Sequence, residues 1–237
     1  MNKIEIGNIT VDVFRKKIKN LHLAVHPPEG RVRIASPLRV KDEAIRLFVT
    51  SKLPWIKRQQ RKFREQERER EREFLSRESH YFFGHRYLLN VIEHDGPPEV
   101  ILKKNTIDMY VRTGTATEKR RTIMNEWYRK EIKKVIPELL EKWEKITGVS
   151  AYQWRVKLMK TRWGTCNIKE KRIWFNLELA KKPVICLEYI IVHELVHLLE
   201  RRHNENFVKL MEQFMPQWKK YREELNRLPA GYAGWDD

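Results

Sequence analysis

The feature that most constrains this chain is the segment His193-Glu194-Leu195-Val196-His197, which lies within a long apolar stretch of a 237-residue sequence. The residues around it, from 189 to 199, are mostly aliphatic, and their pattern predicts a helix with buried walls. Two histidines four residues apart lie on the same face of a helix, so both imidazoles can bind one metal ion. Since ionisable groups are costly to bury, this helix must present the histidines to a site that uses them.

Glu194 lies next to the first histidine in sequence but is rotated by about 100° around the helix. Its carboxylate can therefore face a water molecule bound to the metal without becoming a ligand itself. This is the position that a general base needs in metal-assisted hydrolysis, and we predict that role for Glu194.

A catalytic zinc ion takes three protein ligands and leaves one position for water, so a third ligand is required. His203 is the candidate. On a continuous helix it would be rotated by about 600° from His197 and would point away, so the helix must break before it. The apolar pattern ends at Glu200, and Asn204 can cap a new helix. We expect one zinc ion per chain, with nickel, iron or manganese as alternatives at a three-histidine site.

The first half of the chain has a different pattern. Alternating apolar residues up to position 36 predict a small antiparallel β meander with a turn at residues 27–30. A helix is predicted from Lys41 with Ala44, Leu47 and Phe48 towards the core, and Pro54 separates it from a second helix. The mixed charges of residues 61–73 predict that this second helix continues as a solvated connector.

The second half has the clearer plan. It predicts strands near residues 151–159 and 172–176, helices after Pro183 and Asn204, and a last helix over about 217–227, with a tight turn at Trp163-Gly164. Because helices and antiparallel strands occur in separate runs, the fold class is α+β. We place an accessory region, β-rich and helical, at residues 1–116 and the catalytic core at residues 117–237.

Composition bears on partners and compartment. The 49 basic and 32 acidic residues give a net charge of +17, spread almost evenly over the two halves. Such a surface attracts polyanions without specifying one. No apolar run approaches the roughly 18 residues of a membrane span. Two cysteines and an N-terminus unlike a signal peptide lead us to expect a cytoplasmic protein that binds no membrane.

Three segments together carry a resemblance to a known family: Met159 to Cys166, Ile173 to Leu177, and Tyr189 to His197. They resemble the YgjP-like metal-dependent hydrolases, which belong to the zincin metallopeptidases together with the SprT and WLM protease domains. The resemblance is most specific between residues 155 and 207. It implies a zincin-like core of antiparallel strands plus the HExxH helix.

The resemblance also implies roles for individual residues. His193, His197 and His203 would bind zinc, and Glu194 would activate water. The strand at 172–176 would be the edge along which an extended peptide lies. The histidine spacing equals that of metzincins, but Glu200 stands where those proteins have glycine, so we do not assign the chain to them.

The sequence therefore predicts a zinc-dependent metallopeptidase that hydrolyses peptide bonds. Arg162 and Asn176 are candidates for substrate contacts, and Arg162 or a tyrosine could stabilise the oxyanion. The alternative is a basic metalloprotein associated with nucleic acid, acting on or recruited to proteins bound to DNA or RNA.

Overall fold

The computed structural model describes residues 2–26, 30–65, 72–159 and 162–227. The chain divides into two compact units, residues 1–68 and residues 69–237. Each unit has its own cluster of buried hydrophobic side chains. Within the described ranges, no helix is both long and apolar enough to cross a membrane.

The first unit is a four-stranded sheet with two helices. The strands are β1 (Asn2–Ile6), β2 (Ile9–Lys16), β3 (His22–His26) and β4 (Arg31–Pro37), in the spatial order β1-β2-β4-β3. The expected antiparallel meander is wrong in one respect: β4 lies between β2 and β3 and runs parallel to β2. This register aligns Val11 with Val32 and Val13 with Ile34, which places the most buried side chains of both strands on one face. The turn expected at residues 27–30 falls mostly outside the described residues.

Helices α1 (Asp42–Ser51) and α2 (Leu53–Glu65) follow β4, and Pro54 lies at the start of α2 as predicted. The core-facing side of α1 was predicted correctly for Phe48, which packs against the first core, but wrongly for Ala44 and Leu47. Ile45 and Val49 are fully buried, whereas Leu47 is 74% exposed and Ala44 is also exposed. The β-branched pair lies four residues apart and packs with the sheet, so the helix turns Leu47 outward. The charged helix predicted over 61–73 reaches Glu65, residues 66–71 lie outside the described ranges, and residues 72–73 are not helical.

The second unit begins with a sheet that repeats the plan of the first. Its strands are β5 (Ser79–Phe82), β6 (His85–Glu93), β7 (Glu99–Leu102) and β8 (Thr106–Val111), in the order β5-β6-β8-β7. Strand β6 runs parallel to β8, as β2 does to β4. The first hairpin of each sheet turns at a glycine with positive φ, Gly7 at 59° and Gly84 at 82°. The sequence shows no repeat, so the repetition lies in the strand plan.

A 31-residue helix, α3 (Thr117–Thr147), follows β8 and buries one face. It packs against a short 3-10 helix, Leu177–Lys181, and against α4 (Val184–Val196). Gly148 ends α3 in the left-handed conformation with φ of 73°, and its N–H donates to the Glu144 carbonyl. Helices α5 (Glu205–Phe214) and α6 (Trp218–Arg227) complete the unit.

The third sheet lies beside α4 and contains β9 (Gln153–Lys157), β10 (Gly164–Asn167) and β11 (Arg172–Asn176). Its order is β10-β11-β9, with β11 antiparallel to β10 and parallel to β9. Two expectations are corrected here. Strand β11 is central because both its edges are paired, so the free edges belong to β9 and β10. Gly164 begins a strand instead of forming a turn with Trp163.

These elements form an α+β fold, as predicted. The buried side chains of β5, β6, β8, α3, α4 and α5 belong to one cluster. Residues 69–116 therefore share a compact unit with the catalytic candidates, and the two units divide at 68/69. Where the accessory region ends in functional terms stays a prediction.

Candidate metal centre

Three histidines converge on one point. The Nε2 atoms of His193 and His197 lie 3.2 Å apart, and that of His203 lies 3.1 Å from the first and 3.0 Å from the second. A tetrahedral ion with bonds of about 2.0–2.1 Å separates its ligand nitrogens by about 3.3 Å. The three nitrogens therefore fit a single divalent ion. A search of the described residues for groups of His, Cys, Asp and Glu side chains that could hold a metal finds these three histidines.

The fold brings His203 back by ending the helix early. α4 ends at Val196, and residues 197–199 form a turn that returns the chain towards α4. Asn204 then begins α5, and its side chain accepts a hydrogen bond from the Phe207 N–H at 3.0 Å. The break and the cap that the sequence predicted are both present. The break and the cap require no strained backbone, since residues 200–204 contain no left-handed residue.

Two further contacts orient the imidazoles. Nδ1 of His197 lies 3.2 Å from the Glu200 carbonyl oxygen, so a proton on Nδ1 donates to it and leaves Nε2 for the metal. The Phe207 ring packs against all three imidazoles, with centroid distances of 5.0 Å to His193, 4.9 Å to His197 and 4.6 Å to His203. Phe207 thus forms an apolar floor that limits how the rings can tilt.

Burial favours the neutral, metal-binding form of the innermost ligand. His193 is 2% exposed, and burial lowers its pKa well below the ordinary value, with a further contribution from His197 and His203. A neutral imidazole offers a lone pair to a cation, whereas an imidazolium does not. His197 is half-buried and His203 is exposed, so the centre opens to solvent on the His203 side.

Glu194 is buried against the first residue of β10. It is 1% exposed, and burial raises the pKa of its carboxyl to about 8, while the charge of Arg162 acts in the opposite direction. A Cβ atom at Gly164 would lie 2.9 Å from Glu194 Cδ and closer still to Oε1. The carboxyl therefore occupies space that any side chain at position 164 would fill.

The two candidate substrate residues lie in different surroundings. Arg162 is exposed and near enough to Glu194 to influence the pKa of its carboxyl. Asn176 is 1% exposed, and its amide donates to the carbonyls of Met159 and Arg162 at 3.0 and 2.7 Å. Its Oδ1 accepts from the N–H groups of Met159 and Glu178, each at 3.2 Å. The amide is thus committed to holding the loop that carries Arg162.

The remaining thiols and histidines are not part of this centre. Burial, with the charge of Glu194, raises the pKa of the Cys166 thiol to about 12, and burial does the same for Cys186. Both cysteines are free. A protonated thiol is a poor metal ligand.

Sequence reasoning missed two residues that shape the centre. The sequence predicts a turn at Gly164, because its close approach to Glu194, thirty positions away, leaves no local signal. Phe207 lies three residues after the Asn204 cap, and an apolar residue there gives no sign in the sequence that its side of α5 faces the histidines.

The sequence also matches a known protein family. A family model described as the YgjP-like metallopeptidase domain matches residues 19–228. The chain therefore belongs to the YgjP-like metallopeptidase family, whose members are metal-dependent hydrolases acting on peptides or proteins. Among solved structures, the metallopeptidase zymogen of Pyrococcus abyssi abylysin is similar over 38% of this chain and 90% of that chain, with 22% identity and a TM-score of 0.36. No curated protein gives a significant sequence match.

Proposed function

We propose that this chain is a zinc-dependent metallopeptidase whose ligands are His193, His197 and His203 and whose general base is Glu194. The observation that carries the proposal is the triangle of Nε2 atoms, 3.0–3.2 Å on each side, beside one buried carboxyl group. Zinc is favoured over nickel, iron and manganese because three imidazoles with an open fourth position are typical of catalytic zinc.

Bound zinc would polarise the scissile carbonyl and make a water molecule more acidic near neutral pH. The chain's own part in the reaction is proton transfer. Glu194 accepts the proton from the attacking water and delivers it to the leaving amine. A carboxyl in a buried position would otherwise favour its neutral form, and positive charge nearby, from Arg162 and from a bound cation, favours the ionised form that a base requires.

The substrate would bind as an added strand along the free edge of β10. This edge is adjacent to Glu194 through Gly164, whereas β11 is paired on both sides. An extended peptide there would gain main-chain hydrogen bonds and bring a peptide bond towards the histidines. Arg162, exposed on the loop before β10, would contact the substrate or the developing oxyanion. Asn176 would support that contact indirectly by holding the loop.

We also place the protein in a reducing compartment, the cytoplasm. Cys166 and Cys186 are both free, and neither belongs to a disulfide or a metal group among the described residues. Such thiols persist where the surroundings are reducing.

The general-base assignment is tested with Glu194→Gln, which keeps the shape of the side chain and removes its basicity. We expect bound zinc to be unchanged and cleavage of a casein substrate to fall by at least about a hundredfold. Glu212→Gln is the matched control, because Glu212 is an exposed glutamate that pairs with Lys219. Cleavage by the Glu194 variant at the rate of the control would contradict the assignment.

The ligand assignment is tested by elemental analysis of protein purified without a metal-affinity step. Wild type should carry about one zinc per chain, and the double variant His193→Ala, His197→Ala should carry none. Stoichiometric nickel, iron or manganese in wild type would retain the site and change the metal. A metal content equal in both proteins would show that the ion lies elsewhere.

A further inference from the structure

The sheet that carries β10 has a second face, directed away from α4. Side chains alternate along a strand, so the side of β9 and β11 opposite to Val156, Ile173 and Phe175 carries a different set of residues. Those three are at most 7% exposed. One tyrosine, one tryptophan and five basic side chains lie on the opposite side or at its end. We refer to these residues as the basic face: Tyr152, Arg155, Lys157, Lys169, Lys171, Arg172 and Trp174.

The basic face offers aromatic rings next to positive charge. Tyr152 is 89% exposed, the largest exposure among the described large hydrophobic side chains. Its position is fixed, because its N–H donates to the Lys171 carbonyl at 2.8 Å. The Trp174 ring has Lys157 Nζ at 3.2 Å and Arg172 Cζ at 5.0 Å from its centroid. The exposed Tyr152 ring offers a flat apolar surface on which a planar partner can stack.

The charge of the face is strongly one-sided. Its acidic neighbours include Glu170, which is paired with Arg172 at 2.6 Å, and Glu144, which accepts a hydrogen bond from the Ala151 N–H at 2.8 Å. Arg155, Lys157, Lys169 and Lys171 are exposed. A hollow of about 520 Å³ lies at the end of the sheet, between Tyr152, Gln153 and the turn that carries the two lysines. The hollow is more open than enclosed, so a bound group would stay partly exposed to solvent.

We propose that the basic face binds single-stranded nucleic acid. Phosphates would pair with the lysines and arginines, and unpaired bases would stack on Tyr152 and enter the hollow beside it. An acidic polypeptide would match the charge equally well but would leave the exposed ring without a planar partner. A duplex would keep its bases stacked on each other, so the ring favours a single strand.

This inference does not depend on the metallopeptidase chemistry. Gly164 meets Glu194 on the opposite face of the same sheet, so the sheet separates the two sites. A polynucleotide could occupy the basic face while a peptide lies along the edge of β10.

The test measures binding of a fluorescein-labelled 20-nucleotide oligo(dT) to the full chain by anisotropy at several salt concentrations. We expect Arg155→Gln, Lys157→Gln to weaken binding at least about tenfold and to reduce the salt slope by about 1.4, since each phosphate contact on a single strand contributes about 0.7. Tyr152→Leu keeps the charge and an apolar side chain but removes the stacking ring, and it should weaken binding at least about fivefold.

The control removes the same charge from another surface. Lys130→Gln, Lys133→Gln alters two exposed lysines of α3 and should change affinity less than about twofold. An equal loss in this control would show that binding is spread over the whole basic surface and would overturn the proposal. So would absence of oligo(dT) binding to wild type at about 150 mM salt. Equal affinity for polyglutamate, with no effect of Tyr152→Leu on either ligand, would assign the face to acidic proteins instead.

Discussion

Gly164 shows how much one atom matters in this centre. The Glu194 carboxyl lies where a Cβ at position 164 would be, 2.9 Å from Cδ. We predict that Gly164→Ala displaces the carboxyl and lowers peptide cleavage by roughly a hundredfold or more, as expected for a catalytic group moved by about 1 Å. Bound zinc should stay at the wild-type level because no ligand is touched. Loss of zinc together with activity would show instead that the substitution disturbs the fold.

A second prediction at this scale concerns His80, which is 1% exposed and packs against Phe74 with ring centroids 5.4 Å apart. Burial, with the charges of Arg72 and Lys181, lowers its pKa to about 3. Nε2 lies 3.8 Å from a Glu78 oxygen, but the neutral ring forms no ion pair with it. Since the unfolded chain binds the proton more readily, His80 stabilises the fold above about pH 6.5, and this contribution is lost as the pH falls towards 3.

The measurement is the free energy of unfolding by urea at pH 7, 6 and 5, for wild type and His80→Leu. The advantage of wild type over the variant should shrink by up to ~1.4 kcal/mol per pH unit in this range. Leu88→Ala, at an exposed position on β6, is the control and should show a constant difference from wild type because no ionisable group is changed. A stability difference between wild type and His80→Leu that does not change with pH would contradict the prediction that buried His80 is neutral in the folded protein.

Among the elements, the start of α5 links stability to metal binding. Asn204 caps this helix, the preceding residue is His203, and the capped N–H belongs to Phe207, which contacts all three imidazoles. We predict that Asn204→Ala lowers the free energy of unfolding by about 1 kcal/mol and weakens zinc affinity by up to about tenfold.

Chelator competition measures the affinity, and Asn167→Ala is the matched control. Asn167 makes a similar bond, accepting from the Glu170 N–H at 3.2 Å, but in a turn between β10 and β11. Its substitution should affect stability without changing zinc affinity. Equal affinities for both variants would show that the α5 cap does not hold His203 in place.

What the sequence could predict depends on how local the signal is. The motif helix, the break before His203, the cap at Asn204 and the α+β class follow from spacing within a few residues, and the structure contains each of them. The partners of β11 and β4 depend on pairings over tens of residues, which alternation cannot specify. For the same reason the exposed side of Leu47 was missed, since the sheet beneath α1 selects which face is buried.

For the whole molecule, the two units have separate cores, and the metal candidates lie in only one of them. Ligand binding stabilises only the unit that binds. We predict two thermal unfolding transitions by calorimetry, and removal of zinc with a chelator should lower the midpoint of one.

A disrupted first unit identifies which transition that is. Ile34 is fully buried in the first core, and Ile34→Asp should abolish the transition that chelation does not affect. Zinc content should be unchanged. Loss of zinc in this variant would show that the second unit cannot fold without the first.

The repeated strand plan of the two sheets also has a consequence for biogenesis. The hairpin β1–β2 pairs through β2 with a parallel strand, and the hairpin β5–β6 pairs through β6 in the same way. A chain refolded from denaturant holds both hairpins and both acceptor strands at once, so β4 and β8 can each capture the wrong hairpin. During synthesis the first sheet leaves the ribosome before β5 exists, and it can close without a competitor. Co-translational folding would therefore favour the correct strand pairing, whereas refolding of the full-length chain would not.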